Sequence, residues 1–201
     1  MTITLAVEDA LSEFVAKRLL SDYLPGAAIR ETLGHQGVGF LRRRMRDLNQ
    51  IALYQNPVLV LADLDSPEDC AANRVSALIG GLPHSTSLLI RIAVMEIESW
   101  ILADRRGIAG WLGVAASIVP TSSENLHDPK RTLVEIARRS RSRALREAIA
   151  PQSIRGTGRA GPAYNDSLGE FVTQHWNPEA ARRNAPSLDR AIARIVELAV
   201  P

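Results

Sequence analysis

Three apolar runs in this chain of 201 residues end in acids. Glu8 and Asp9 follow TITLAV (2–7), Asp63 ends VLVLAD (58–63) with Asp65 two residues on, and Glu96 and Glu98 follow SLLIRIAV (87–94). Sites in parallel α/β sheets form at the C-terminal ends of the strands, where loops lead into helices. Acids in these places are therefore expected to meet along one edge. Like charges packed together repel unless bound protons or a divalent cation offset them. Hard oxygen donors without histidine favour Mg²⁺ or Mn²⁺ over zinc, and such a cation polarises a phosphoryl oxygen and lowers the pKa of a bound water. Glu96 and Glu98 share a face in a strand but lie on nearly opposite sides of a helix, so only one of them is expected in the site.

Other reactive residue types point to less. Cys70 is the single cysteine, which excludes a disulfide framework and a multi-cysteine zinc site; one turn into an expected helix, it reads as a buried packing thiol. His35, His84, His127 and His175 show no i, i+4 pair, and no metal site is expected from them. GHQGVG (34–39) is neither G-x-G-x-x-G nor a P-loop and reads as a turn. Trp100 and Trp111 are expected in the core, and Arg42, Arg43 and Arg44 on a solvated helix face. Two other chemistries use a strand-end aspartate. A response-regulator receiver needs a lysine at a later strand end, and none follows. A phosphatase of the hhhhDxD type fits LADLD locally, but that motif is expected near the N-terminus, and no paired aspartates occur later.

The elements that position these residues alternate. After TITLAV comes helical spacing from Leu11 to Tyr23, a strand over 27–33, an amphipathic helix through Leu41, Met45 and Leu48, and the continuous run VLVLAD. Such a run suits a strand buried on both faces. Ser66-Pro67-Glu68-Asp69 predicts the start of a helix over 67–79, ended by Gly80-Gly81; EIESWILADR predicts the next helix. Alternation of this kind means a parallel central sheet flanked by helices. The expected architecture is an α/β core over 1–105 and a mostly helical, basic extension over 106–201. Within the extension, a helical stretch runs from Asp128-Pro129 to about Ala150, RGTGRAGPAYND (155–166) is a flexible segment, and helices at 166–175 and 187–199 follow, the last capped by Ser187.

Composition sets the outer limits. With 46% hydrophobic residues, a chain of this length buries a sizeable core, which excludes disorder as the main state. No apolar run reaches the roughly 18 residues that span a bilayer, and MTITLAVEDA lacks a signal-peptide pattern. A cytoplasmic protein with no membrane partner is expected. The net charge is only +2, yet residues 1–104 carry 9 basic and 13 acidic groups and residues 105–201 carry 15 and 9. From Lys130 to Arg159 there are 9 basic groups against Glu135 and Glu147. A cation site in the acidic half and a phosphate-binding surface in the basic half would suit this division.

A glutamate after the first strand and a later apolar strand ending in D-x-D resemble the Toprim fold of topoisomerases, primases and overcoming-lysogenization-defect-type nucleases. VEDALSE, GHQGVGFL, VLVLADLD with Cys70, RIAVMEIESWILADR, the DPK of 128–130, RSRSRALREAI, and PAYNDSLGEFV with HWNPEAA together resemble the domain-of-unknown-function family 4276. The resemblance implies a Toprim-like Rossmannoid core, with Glu8 as the Toprim glutamate and Asp63 and Asp65 as the D-x-D pair. Glu98 or Glu96 would be an outer ligand of Mg²⁺ or Mn²⁺. Glu13 stands five residues after Glu8, where a Toprim nuclease would carry its second acid one position earlier. The implied activity is metal-dependent phosphodiester hydrolysis on nucleic acid, with a separately encoded ATPase as partner in a defence or mobile-element setting. Lys130, Arg138, Arg139, Arg141 and Arg143 would contact phosphates without reading sequence. A homodimer is left open. The alternative is a Toprim-like interaction or regulatory subunit without turnover.

Overall fold

The computed structural model describes residues 1–151 and 160–199; the 155–159 part of the expected flexible segment lies outside them. The chain is α/β, with a four-stranded, all-parallel central sheet flanked by helices and further helices toward the C-terminus. Two compact units are present, one made of Met1–Val94 with the stretch from Asp189 onward, the other of Met95–Leu188.

In the first unit the order is β1 (Thr2–Val7), α1 (Ala10–Tyr23), β2 (Ala28–Gly34), α2 (Val38–Tyr54), β3 (Val58–Asp63), α3 (Ala71–Ile79) and β4 (Leu88–Ala93). The strands lie in the order β2-β1-β3-β4, with Val7 beside Gly34 and Leu61, and Asp63 beside Ala93. The chain first steps from β1 to β2, then returns across β1 to β3. Right-handed crossovers therefore place α1 on one face and α2 with α3 on the other. The α2 and α3 side joins Leu41, Met45, Leu48, Leu78 and Ile79 to Ala6, Val58, Val60, Ile90 and Ile92 in one buried cluster. Each of the leucine, isoleucine, valine and methionine side chains contributes roughly 1.5–3 kcal/mol through burial. As its apolar run implies, β3 is buried along its whole length.

The reversal of direction opens a crevice between β1 and β3 at their C-terminal ends, the switch point at which open α/β sheets bind ligands. Glu8 stands at one lip and Asp63 at the other.

The second unit contains no strand among its described residues. Its helices are α4 (Glu98–Ala103), α5 (Arg105–Leu112), α6 (Pro129–Ala137), α7 (Arg143–Ile149), α8 (Tyr164–Gln174) and α9 (Pro178–Ala181), and α10 (Pro186–Glu197) starts at its end. Trp100 and Trp176 are fully buried there. Trp111 is half-buried, its ring 5.1 Å from that of Phe171. Among the described residues no helix is long and apolar enough to cross a membrane.

Several local expectations change. The helix expected over 67–79 starts only at Ala71, because Ser66-Pro67-Glu68-Asp69 closes as a turn: Asp69 N–H donates to Ser66 C=O, and Ser66 Oγ accepts from Glu68 N–H. Cys70 is consequently the exposed residue before α3 rather than a buried packing thiol. The helix expected over 128–150 is two helices. Ser140 lies between them, buried, and its hydroxyl donates to Leu112 C=O at 2.6 Å. Ser187 sits inside the first turn of α10 and does not cap it; Glu124 takes both its N–H and its hydroxyl.

Candidate functional site

Glu8 leaves the end of β1 and both of its carboxylate oxygens accept backbone N–H groups. Oε1 takes Val38 N–H at 3.0 Å and Oε2 takes Asp63 N–H at 3.2 Å. The first donor opens the 17-residue helix α2, so the carboxylate also sits at the positive end of a helix dipole; the second belongs to β3. Glu8 thus ties the ends of β1 and β3 together across the switch point. Burial pushes its carboxyl above the ordinary range, and the charge of Asp65 adds to this. The two backbone donors and Arg74 oppose the rise.

The loop that brings Val38 there is GHQG. Gly34 has φ 143°, and a Cβ built on it would stand 1.9 Å from Val7 C=O. Only glycine lets the end of β2 run this close to β1. Gly37 N–H donates to Glu8 C=O at 3.1 Å, and His35 Nε2 lies 2.6 Å from Glu13 Oε2. Glu13 also meets Lys17 Nζ at 2.6 Å. Burial works against its charge, but Lys17 and His35 outweigh this and hold its carboxyl below the ordinary range. Glu13 is thereby engaged with Lys17 on α1 and with His35 of the β2–α2 loop. Asp9 caps α1, accepting from Ser12 N–H at 2.8 Å.

Asp63 is 8% exposed. Asp65 is more open and has φ 60°, left-handed backbone that non-glycine residues enter at a cost. Its Oδ2 accepts from Arg74 Nη2 at 2.8 Å, while Arg74 Nε donates to Asp63 C=O at 3.0 Å. Arg74 was not marked by any spacing in the sequence. It is a lone arginine on α3, and its partners lie in a loop whose course sequence reasoning did not follow.

Glu96 and Glu98 belong to the second unit. Glu96 precedes α4 and its Oε2 accepts Lys130 N–H, in the first turn of α6, at 2.9 Å. Glu98 is 3% exposed. Tyr164 hydroxyl donates to its Oε1 at 2.9 Å, and Lys130 Nζ lies 3.7 Å from the same oxygen and 5.1 Å from the Tyr164 ring centre. Burial raises the Glu98 carboxyl to about 7; Lys130 opposes the rise, Glu96 adds to it, and the tyrosine opposes it again. Tyr164 is the member of this cluster that sequence reasoning missed, since nothing local sets a tyrosine sixty-six residues away apart from any other.

Of the expected phosphate contacts, Arg139, Arg141 and Arg143 are exposed and Lys130 is partly so. Arg138 is largely covered and pairs with Glu135. Arg42, Arg43 and Arg44 are exposed on α2, as their helix face implies.

Among the described residues, no group of three or more His, Cys, Asp or Glu side chains stands as a set that could hold a metal ion. The donor chemistry at the β1–β3 edge nevertheless suits Mg²⁺ or Mn²⁺. Both take one or two carboxylates and retain waters, and Glu8 and Asp63 supply two hard-oxygen carboxyls from adjacent strand ends. No protein-family model matches the chain, and neither does any curated protein or solved structure.

Proposed function

We propose that the chain is a Mg²⁺- or Mn²⁺-dependent nuclease whose reaction is phosphodiester hydrolysis at the β1–β3 edge. The observation that carries this reading is Glu8, held by backbone N–H groups of both α2 and β3 at the switch point, with Asp63 and Asp65 on the facing strand end. Asp63 and Asp65 would hold the cation and Glu8 would complete the set or act as base. A divalent cation, when bound, polarises a phosphoryl oxygen and lowers the pKa of a water. Burial favours Glu8 as a base, because a carboxyl pushed above the ordinary range is a better proton acceptor than an open one. Its two backbone bonds orient it without further ordering on substrate arrival. Arg139, Arg141 and Arg143 supply exposed charge for phosphate contact, which would be salt-sensitive and nearly indifferent to sequence. The likeness to the domain-of-unknown-function family 4276 adds a separately encoded ATPase as partner.

The test is cleavage of end-labelled DNA and RNA in Mg²⁺ and in Mn²⁺, with and without the proposed ATPase partner. The expected result is metal-dependent cleavage that falls roughly 100-fold or more in Asp63→Ala, with the variant still folded. Absence of cleavage in every condition, together with nucleic-acid binding unchanged in Asp63→Ala, would favour the interaction subunit instead.

A further inference from the structure

Arg74 reaches the acidic edge from α3 with two of its five donors. Nε is bound to Asp63 C=O and Nη2 to Asp65 Oδ2, and the guanidinium lowers the Glu8 carboxyl as well. The Nη1 donors have no hydrogen-bond partner among the described residues. Asp65 is about half exposed at 48%, and Arg74 is 19% exposed. Asp65 is the open member of the pair and Arg74 the largely covered one, so water can take over the Asp65 carboxylate while the guanidinium stays at the edge. A guanidinium that bonds a single carboxylate oxygen and a backbone carbonyl here is also the group whose planar fork is best matched to a phosphate.

We propose that Arg74 is the exchangeable counter-ion of this edge: it pairs with Asp65 and turns to a substrate phosphate when a divalent cation engages the carboxylates. The inference rests on the metal-site reading above and deepens it by naming the phosphate-binding residue.

Competition gives the test its sign. A residue that occupies Asp65 lowers cation affinity, so its removal raises that affinity, whereas a purely structural anchor of the 64–70 loop would lower it on removal. Mn²⁺ binding to the full chain without nucleic acid, followed by the loss of the free-ion electron paramagnetic resonance signal, is compared in wild type, Arg74→Ala, Arg74→Lys and Asp63→Asn. Binding of a fluorescent single-stranded DNA oligonucleotide in Mn²⁺ is measured in parallel, with circular dichroism as the check on folding. Arg74→Ala is expected to bind Mn²⁺ roughly two- to fivefold tighter and the oligonucleotide several-fold more weakly. Arg74→Lys keeps the charge but loses the fork, so its Mn²⁺ affinity stays near wild type while oligonucleotide affinity falls part of the way. If Mn²⁺ binding depends on Asp63 but is unchanged or weaker in folded Arg74→Ala, or if oligonucleotide affinity is unchanged in both Arg74 variants, the exchange is wrong and the metal site stands. If wild type binds no Mn²⁺, both fall together. Should Arg74→Ala not fold, Arg74→Lys decides the matter: wild-type oligonucleotide affinity in it overturns the proposal.

Discussion

Glu98 shows what burial does to a single carboxyl in this protein. It is enclosed in the second unit with one hydroxyl donor and one ammonium group near the same oxygen, and burial dominates, raising it from 4.5 to about 7. Because the folded state holds this proton more tightly than the unfolded chain, the linked stability is fully present below about pH 4.5. It is lost as pH rises through about 7. A shift of this size corresponds to about 3 kcal/mol, an upper figure once the protein relaxes. Glu98→Gln cannot ionise and keeps an acceptor for Tyr164, while Lys130 is open enough to turn to water. The variant is expected to match wild type near pH 4.5, to exceed it at pH 8, and to lose the decline between them. Urea denaturation at both pH values checks this; identical pH dependence in the two proteins would contradict it. Glu8 is also raised by burial, but its two backbone donors and its place at a sheet switch point set it apart.

At the scale of elements, the segment that matters most is the loop from β2 to α2. Gly34 permits its close pass over Val7, and Val38 then presents its N–H to Glu8. Gly34→Ala brings a Cβ against a backbone carbonyl, which has no flexible end to move. The expected loss is on the order of 3 kcal/mol or more, read as a fall in melting temperature, together with reduced cation binding because Val38 is displaced. Near-wild-type stability would contradict the argument. The placing of Glu8 and Asp63 was legible in the sequence, because an unbroken apolar run that stops at an acid marks both a buried strand and its end. The glycine loop was legible only as a turn; its hold on Glu8 depends on the β1–β2 register. Other misreadings have local causes. Ser-Pro-Glu-Asp suits a β-turn with proline second as well as it suits a helix start, and the turn form won at 66–69. The break at Ser140 is set by its bond to Leu112, a partner twenty-eight residues away. Arg74 and Tyr164 were invisible for the same reason, since their roles exist only through contacts made after folding.

For the whole molecule, the proposed function turns on strand order. The sequence implied a parallel sheet but not that β1 and β3 are neighbours with the chain reversing between them, and it is this order that sets Glu8 beside Asp63. In the proposed reading, two carboxyls at such a place would attract a divalent cation most directly through Asp63, the buried end of the central strand. The decisive measurement is equilibrium Mn²⁺ binding to the intact chain, wild type against Asp63→Asn, with folding of both verified. The account predicts saturable binding to wild type that weakens roughly tenfold or more in the variant, since even supporting partners of a metal ligand are worth that much. No saturable binding to folded wild type, or equal binding to both proteins, would contradict it.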